Sequence, residues 1–92
     1  MLGGRTRLVL GYLGANVRRL RIKRGMTQAD LAHAADVDDR FLQKVERSVV
    51  NLRLQSLVKL ADGLGVAPSV LLRVAMPLKR SVGRPRKRRT ST

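Results

Sequence analysis

Apolar residues recur along this chain at intervals of three and four, in short runs, and each run ends at a residue suited to stopping a helix. Leu13, Val17 and Leu20 form the first run, with Arg18, Arg19, Arg21, Lys23 and Arg24 on the remaining faces and Gly25 able to take the positive φ of a helix end. Thr27 opens a second helix over 28–35: its hydroxyl can accept from a backbone N–H near Asp30, and Asp30 sits in the first turn, where the helix dipole favours an anion. The inner face there is Leu31, Ala32 and Ala35, small enough to admit a second helix crossing closely. Asp36 and Val37 then turn the chain, since Asp tolerates a left-handed conformation and Val37 can plug the corner. Asp38 is an N-cap for a third helix over 39–47, with Leu42 and Val45 inward and Phe41 beside them.

The stretch "SVVNLR" breaks the period, and Leu54, Leu57, Leu60, Ala61 and Leu64 restore it up to Gly65. Pro68 or Ser69 opens a fifth run, "SVLLRVAM", which Pro77 stops. Tyr12 and Phe41 are the only aromatics, and the apolar remainder is mostly Leu, Val and Ala, which favours helices over sheet. The prediction is an all-α, compact five-helix domain over residues 11–77. Residues 1–10, with two glycines, two arginines and no clear period, predict a flexible basic arm. Residues 78–92 are low-complexity and basic, and predict a disordered tail.

Ninety-two residues support one modest core and are too few for the enclosed clefts most enzymes build. Without cysteine there is no disulfide framework or thiolate metal site, and the lone His33, among alanines on helix 2, is expected at the surface. No nucleophile, base or metal constellation stands out, so neither an enzyme nor a cofactor is implied. The N-terminus has no uninterrupted apolar run and no small-residue cleavage site, so neither a signal peptide nor a membrane span is expected, and a reducing cytoplasm fits. A cationic membrane-surface protein would need a wide apolar helix face opposite a basic one, whereas these apolar residues are claimed by a core.

The net charge of +14 and a pI near 11.9 point to a polyanionic partner. Seven of the basic residues lie between Lys79 and Arg89, so the body of the chain keeps much of the excess. Against that background, "DVDDRFLQKVE" at 36–46 gathers four of the six acidic residues. Asp36 and Asp38 are there for backbone geometry, one as a turn residue and the other as a cap.

Taken together, "LGANVRRLRIKRGMTQADLAHAADVDDRFLQKVERS" and "NLRLQSLVKLADGLGV" resemble the helix-turn-helix domain of the phage-repressor family (Cro/C1, also called XRE). The resemblance covers about residues 13–72. It rests on joint spacing: Gly25-x-Thr27-Gln28, Leu31-Ala32, Ala35-x-Val37, Leu42-x-x-Val45-Glu46 and Leu57-x-x-Leu60-Ala61. The fold it implies is λ-repressor-like, with helix 3 in the major groove of double-stranded DNA and helix 2 crossing the backbone. Matched by position, the base-reading residues would be Asp39, Arg40, Phe41, Gln43 and Lys44. Thr27, Gln28, Arg47, Ser48 and Asn51 would touch phosphate, and Glu46 would form a buried structural ion pair with Arg21. Arg40 can fork onto guanine, Gln43 can pair with adenine, and Asp39 can accept from cytosine N4 or repel phosphate in a wrong register. Asp36, Ser48 and Leu52 depart from the family's usual Gly, Gly and Pro.

The family's habit of binding two half-sites implies a homodimer, for which Leu71, Leu72, Val74 and Met76 offer apolar surface, with Leu71 or Leu72 claimed by the core. In the tail, "GRPRKRR" (Gly83, Arg84, Pro85, Arg86, Lys87, Arg88, Arg89) resembles an AT-hook, whose Gly and Pro let arginines follow the narrow minor groove of A·T-rich DNA, although Val82 stands where the leading Arg would be. The expected function is sequence-specific regulation of transcription at the nucleoid, as a small repressor. An antitoxin with a toxin partner, using helix 5 and the tail, and an architectural nucleoid protein are the alternatives.

Overall fold

The computed structural model describes residues 3–75. The tail motif, Met76 and Pro77 lie outside the described residues. Five helices follow one another: α1 (Gly4–Lys23), α2 (Gln28–Ala35), α3 (Asp39–Glu46), α4 (Leu54–Leu64) and α5 (Pro68–Leu71), with no strand among the described residues.

Each boundary has a local cause. α1 ends where Gly25 takes φ 69° and the Met26 N–H reaches back to the Arg21 carbonyl at 3.0 Å. α2 opens on a reciprocal capping box: the Asp30 N–H donates to Thr27 Oγ1 at 3.0 Å, and the Thr27 N–H donates to Asp30 Oδ2 at 2.9 Å. Hydrogen bonding to the carboxylate, from the Thr27 backbone N–H first and the Thr27 side chain second, holds the Asp30 carboxyl below its ordinary pKa. α3 begins at Asp38, whose Oδ2 accepts from the Arg40 N–H at 3.0 Å. Gly65, at φ 71°, closes α4, and Pro68 fits the first turn of α5.

The core is one cluster. Leu10, Leu13, Val17 and Leu20 of α1 meet Leu31 of α2, Leu42 and Val45 of α3, Leu57, Leu60 and Leu64 of α4, and Leu71 of α5. Each large side chain buried there contributes about 1.5–3 kcal/mol. α2 crosses α4 at the small pair Ala35 and Gly63, where a Cβ on Gly63 would stand 3.0 Å from that of Ala35. α1 crosses α3 still more closely, since a Cβ on Gly14 would lie 2.6 Å from the Val45 carbonyl oxygen and 2.7 Å from Ser48 Oγ.

Two expectations need correction. Residues 4–10 are the opening turns of α1 rather than a flexible arm: Leu10 is in register with Leu13 and Val17, so the apolar face runs back past Gly11 and burial stabilises the extra helix. The fifth helix stops at Leu71 instead of running to residue 76. Asn16, 1% exposed in the middle of α1, donates from Nδ2 to the carbonyls of Leu71 at 3.0 Å and Arg73 at 2.9 Å. Those carbonyls are satisfied by a side chain of another helix, so the chain uncoils there without an unpaired acceptor.

Candidate nucleic-acid interface

α3 turns Leu42 and Val45 inward and leaves Asp39, Arg40, Gln43 and Lys44 exposed on one outer face, continued by Arg47 at its C-cap. Phe41, expected beside these at the groove, is half-buried and packs against the core. It therefore sets how α3 seats on the body.

A single network fixes α3 to both neighbouring elements. Arg21 of α1 donates from Nε to Glu46 Oε2 at 2.6 Å and from Nη2 to Oε1 at 3.1 Å. Its Nη1 donates to the Met26 carbonyl at 2.9 Å, across the corner that leads into α2. Glu46 Oε1 also accepts from Gln28 Nε2 at 3.1 Å. The two charged side chains are only 13% and 5% exposed, so the carboxylate is cancelled locally instead of facing the outer surface. Gln28 is thereby held at the start of α2 by one amide hydrogen, with its carbonyl and second N–H left over. Thr27 is exposed, and its oxygen is already accepting as a cap.

The corners flanking α3 carry the departures noted in the sequence. Asp36 takes φ 56° and Ser48 takes φ 62°, both left-handed. Lys59 of α4 meets Asp36, donating to its carbonyl at 3.3 Å and standing 3.7 Å from Oδ2. Ser48 is half-buried against Gly14, whereas Asn51 is exposed farther along the connection to α4. The acids are thus dispersed: Asp36 at a turn, Asp38 in a cap, Glu46 inside the network. Only Asp39 is left on the outer face of α3.

Sequence reasoning passed over Asn16 and Lys59. Asn16 had a signal, a lone amide on the apolar face between Leu13 and Leu20; its Oδ1 also accepts from Arg19 Nη2 at 3.0 Å. His33 is exposed. Leu71 is fully buried in the core, whereas Leu72 and Val74 are 41% and 79% exposed. No described helix is long and apolar enough to cross a membrane.

Comparison with known proteins places this arrangement. A helix-turn-helix family model matches residues 17–71. A hypothetical transcription factor of Neisseria meningitidis serogroup B is 38% identical over 66 residues, covering 72% of this chain and 59% of that protein, so the match spans little more than half of the relative's length. The control protein C.BamHI of Bacillus amyloliquefaciens is 35% identical over 60 residues, covering 64% of this chain and 74% of that one. Among solved structures, the restriction-modification controller protein C.AhdI from Aeromonas hydrophila superposes with a TM-score of 0.65 at 34% identity, covering 67% of this chain and 94% of that one. The controller protein C.Esp1396I, solved as a tetramer in complex with its natural 35 base-pair operator, superposes with a TM-score of 0.64 at 32% identity over 68% and 83% of the two chains. With the matched residues running from the middle of α1 to the end of α5, the chain belongs to the helix-turn-helix family of the Cro/C1 (XRE) type.

Proposed function

We propose that this protein is a transcriptional regulator that binds double-stranded DNA in a sequence-specific manner, with α3 in the major groove. The observation that carries the reading is the outer face of α3: Asp39, Arg40, Gln43 and Lys44 are exposed together on a helix fixed to α1 and α2 by the Arg21–Glu46–Gln28 network. Rigid presentation of this kind is what direct readout needs, because a bidentate contact discriminates between bases by about 1–3 kcal/mol only when its geometry is held. Thr27, Gln28, Arg47, Ser48 and Asn51 serve the phosphates on either side, and the residues 83–89 add sequence-independent affinity.

The operator complex of C.Esp1396I supports the choice of duplex DNA and of more than one copy per site. Here the second copy would meet the exposed Leu72 and Val74, giving a homodimer with two α3 helices one helical turn apart. The cytoplasm, at the nucleoid, is where such a protein would act.

Selection of bound sequences from random duplex DNA tests the reading. A two-fold symmetric site is the expected result, and recovery of unenriched sequence would overturn it. Arg40→Ala should then relax one position of each half-site, whereas Gln28→Ala should weaken all sequences alike.

A further inference from the structure

We infer that Asn16 is a positioning residue for the interface between two copies: from inside α1 it fixes the segment Leu72–Val74, and so sets how far apart the two α3 helices stand. This rests on the homodimer reading above, in which Leu72 and Val74 meet the second copy.

Asparagine is a poor choice for the middle of an apolar helix face, since it lowers helix preference and must be hydrogen-bonded once buried. Asn16 stands there all the same, 1% exposed, between Leu13 and Val17. Its Nδ2 donates to the Leu71 carbonyl at 3.0 Å and to the Arg73 carbonyl at 2.9 Å, while its Oδ1 accepts from Arg19 Nη2 at 3.0 Å. Carbonyls only accept and a guanidinium only donates, so the amide has one way round. Both of its N–H groups are thus given to one short segment at the far end of the described chain.

That segment has little else to hold it. Burial of Leu71 anchors its start, and the Leu72 N–H donates to the Ser69 carbonyl at 3.1 Å. Beyond that point no backbone hydrogen bond among the described residues involves 73–75. Leu72 and Val74 meanwhile turn outward. Asn16 is what ties their backbone to the body.

α1 carries the same restraint to α3. Gly14 packs against Val45 and Ser48, and Arg21 is bonded to Glu46. Asn16 lies between these two contacts, and at 1.5 Å per residue all three fall within about 10 Å of one helix. The exposed apolar pair and the outer face of α3 are therefore referred to the same rigid rod. In a two-fold assembly an error in the aim of Leu72–Val74 enters twice, once from each copy. Two recognition helices must stand about 34 Å apart to enter successive major grooves, so the tolerance is small. A buried polar side chain gives up packing energy for one defined arrangement, as a buried Asn does when it fixes the register of a coiled coil.

The test compares affinity for the selected two-fold site with affinity for the same duplex carrying one half-site, measured on the full chain. Asn16→Leu keeps the volume and the apolar face but removes both donors. It should bind the single half-site as the wild type does, and its preference for the two-fold site should fall about tenfold, the worth of two hydrogen bonds. Asn16→Ser keeps one donor and should fall between. Leu72→Ala should lower the same preference, and adding it to Asn16→Leu should lower it little further, because both act through one contact. Gly63→Ala, at the α2–α4 crossing, controls for lost stability alone and should keep the preference. Circular dichroism should show every variant folded. A wild-type preference in Asn16→Leu and Asn16→Ser, or an equal loss in Gly63→Ala, would overturn the inference while leaving the homodimer intact. Equal affinity of the unaltered chain for the two duplexes would overturn the homodimer reading and the inference with it.

Discussion

Asp36 and Ser48 bracket α3, and both hold a left-handed backbone, at φ 56° and 62°. They are the only described residues other than glycine to do so. The helix that carries the outer polar face is therefore entered and left through strained corners. Asp eases its corner because a short polar side chain tolerates this region, and Lys59 donates to the Asp36 carbonyl there. Ser48 has no comparable help.

Ser48→Gly should stabilise the fold. Relief of about 1–2 kcal/mol of left-handed strain is opposed by about 0.5–1 kcal/mol of added chain entropy, leaving a net gain on the order of 0.5 kcal/mol. Asp36→Gly should gain less. Urea midpoints at constant m-value measure both, and a lower midpoint for Ser48→Gly would mean that its hydroxyl, not its φ, governs that corner.

The Arg21–Glu46 pair is buried, so removing one partner leaves the other charge without compensation. Glu46→Leu alone should cost about 3–5 kcal/mol, whereas Arg21→Met combined with Glu46→Leu should recover much of that loss. The double change still frees Gln28 and the Met26 carbonyl, so full recovery is not expected. A double-mutant cycle by chemical denaturation measures the coupling, and strictly additive costs would show that the two side chains do not act as a pair.

Gly14 sits where α1 crosses α3, and alanine there would place its Cβ 2.6 Å from the Val45 carbonyl oxygen. Backbone cannot swing aside as a side chain can, so the helices must part. Gly14→Ala should destabilise by about 1–3 kcal/mol. Gly63→Ala, at 3.0 Å from the Ala35 methyl, should cost less. Thermal melts of the two variants rank the crossings, and an unchanged melting temperature for Gly14→Ala would show that α1 and α3 are not in close contact in solution.

Acid should loosen the start of α2. The folded Asp30 carboxyl titrates below its ordinary value of 3.8, so the capping box contributes fully above that pH and is lost as pH falls through the lower folded value. The stability difference between the wild type and Asp30→Ala should therefore shrink on acidification below about pH 4 and stay flat above it. Paired denaturation curves across that range are the check, and a constant difference would exclude the ionised form as the source.

The sequence was legible where one residue type does one local job. Thr27 and Asp30 mark the start of α2, Asp38 that of α3, and Gly65 the end of α4, because caps and left-handed stops depend on adjacent backbone alone. The N-terminal extent of α1 was hidden because Gly3, Gly4 and Gly11 suggest a loose chain, and only tertiary burial of Leu10 outweighs them. The early end of α5 was hidden for a related reason: its stop signal, Asn16, lies 55 residues away in sequence from Leu71. On the outer face of α3, residue types and spacing name the exposed set, but the half-burial of Phe41 depends on how that helix seats against the others.

Asp39 is the one acid left on the outer face of α3, surrounded by Arg40, Lys44 and Arg47. A carboxylate facing a polyanion repels every register in which it meets phosphate, and it is tolerated only where a base amino group can donate to it. Asp39→Asn should therefore raise affinity for random duplex while leaving affinity for the selected site equal or lower. The ratio of specific to nonspecific binding should fall by roughly tenfold, the equivalent of one base contact at about 1–3 kcal/mol. Competition titrations of the selected site against random duplex at fixed salt measure that ratio. If both affinities rise by the same factor, Asp39 sets only the overall charge of the face and discrimination rests on Arg40, Gln43 and Lys44.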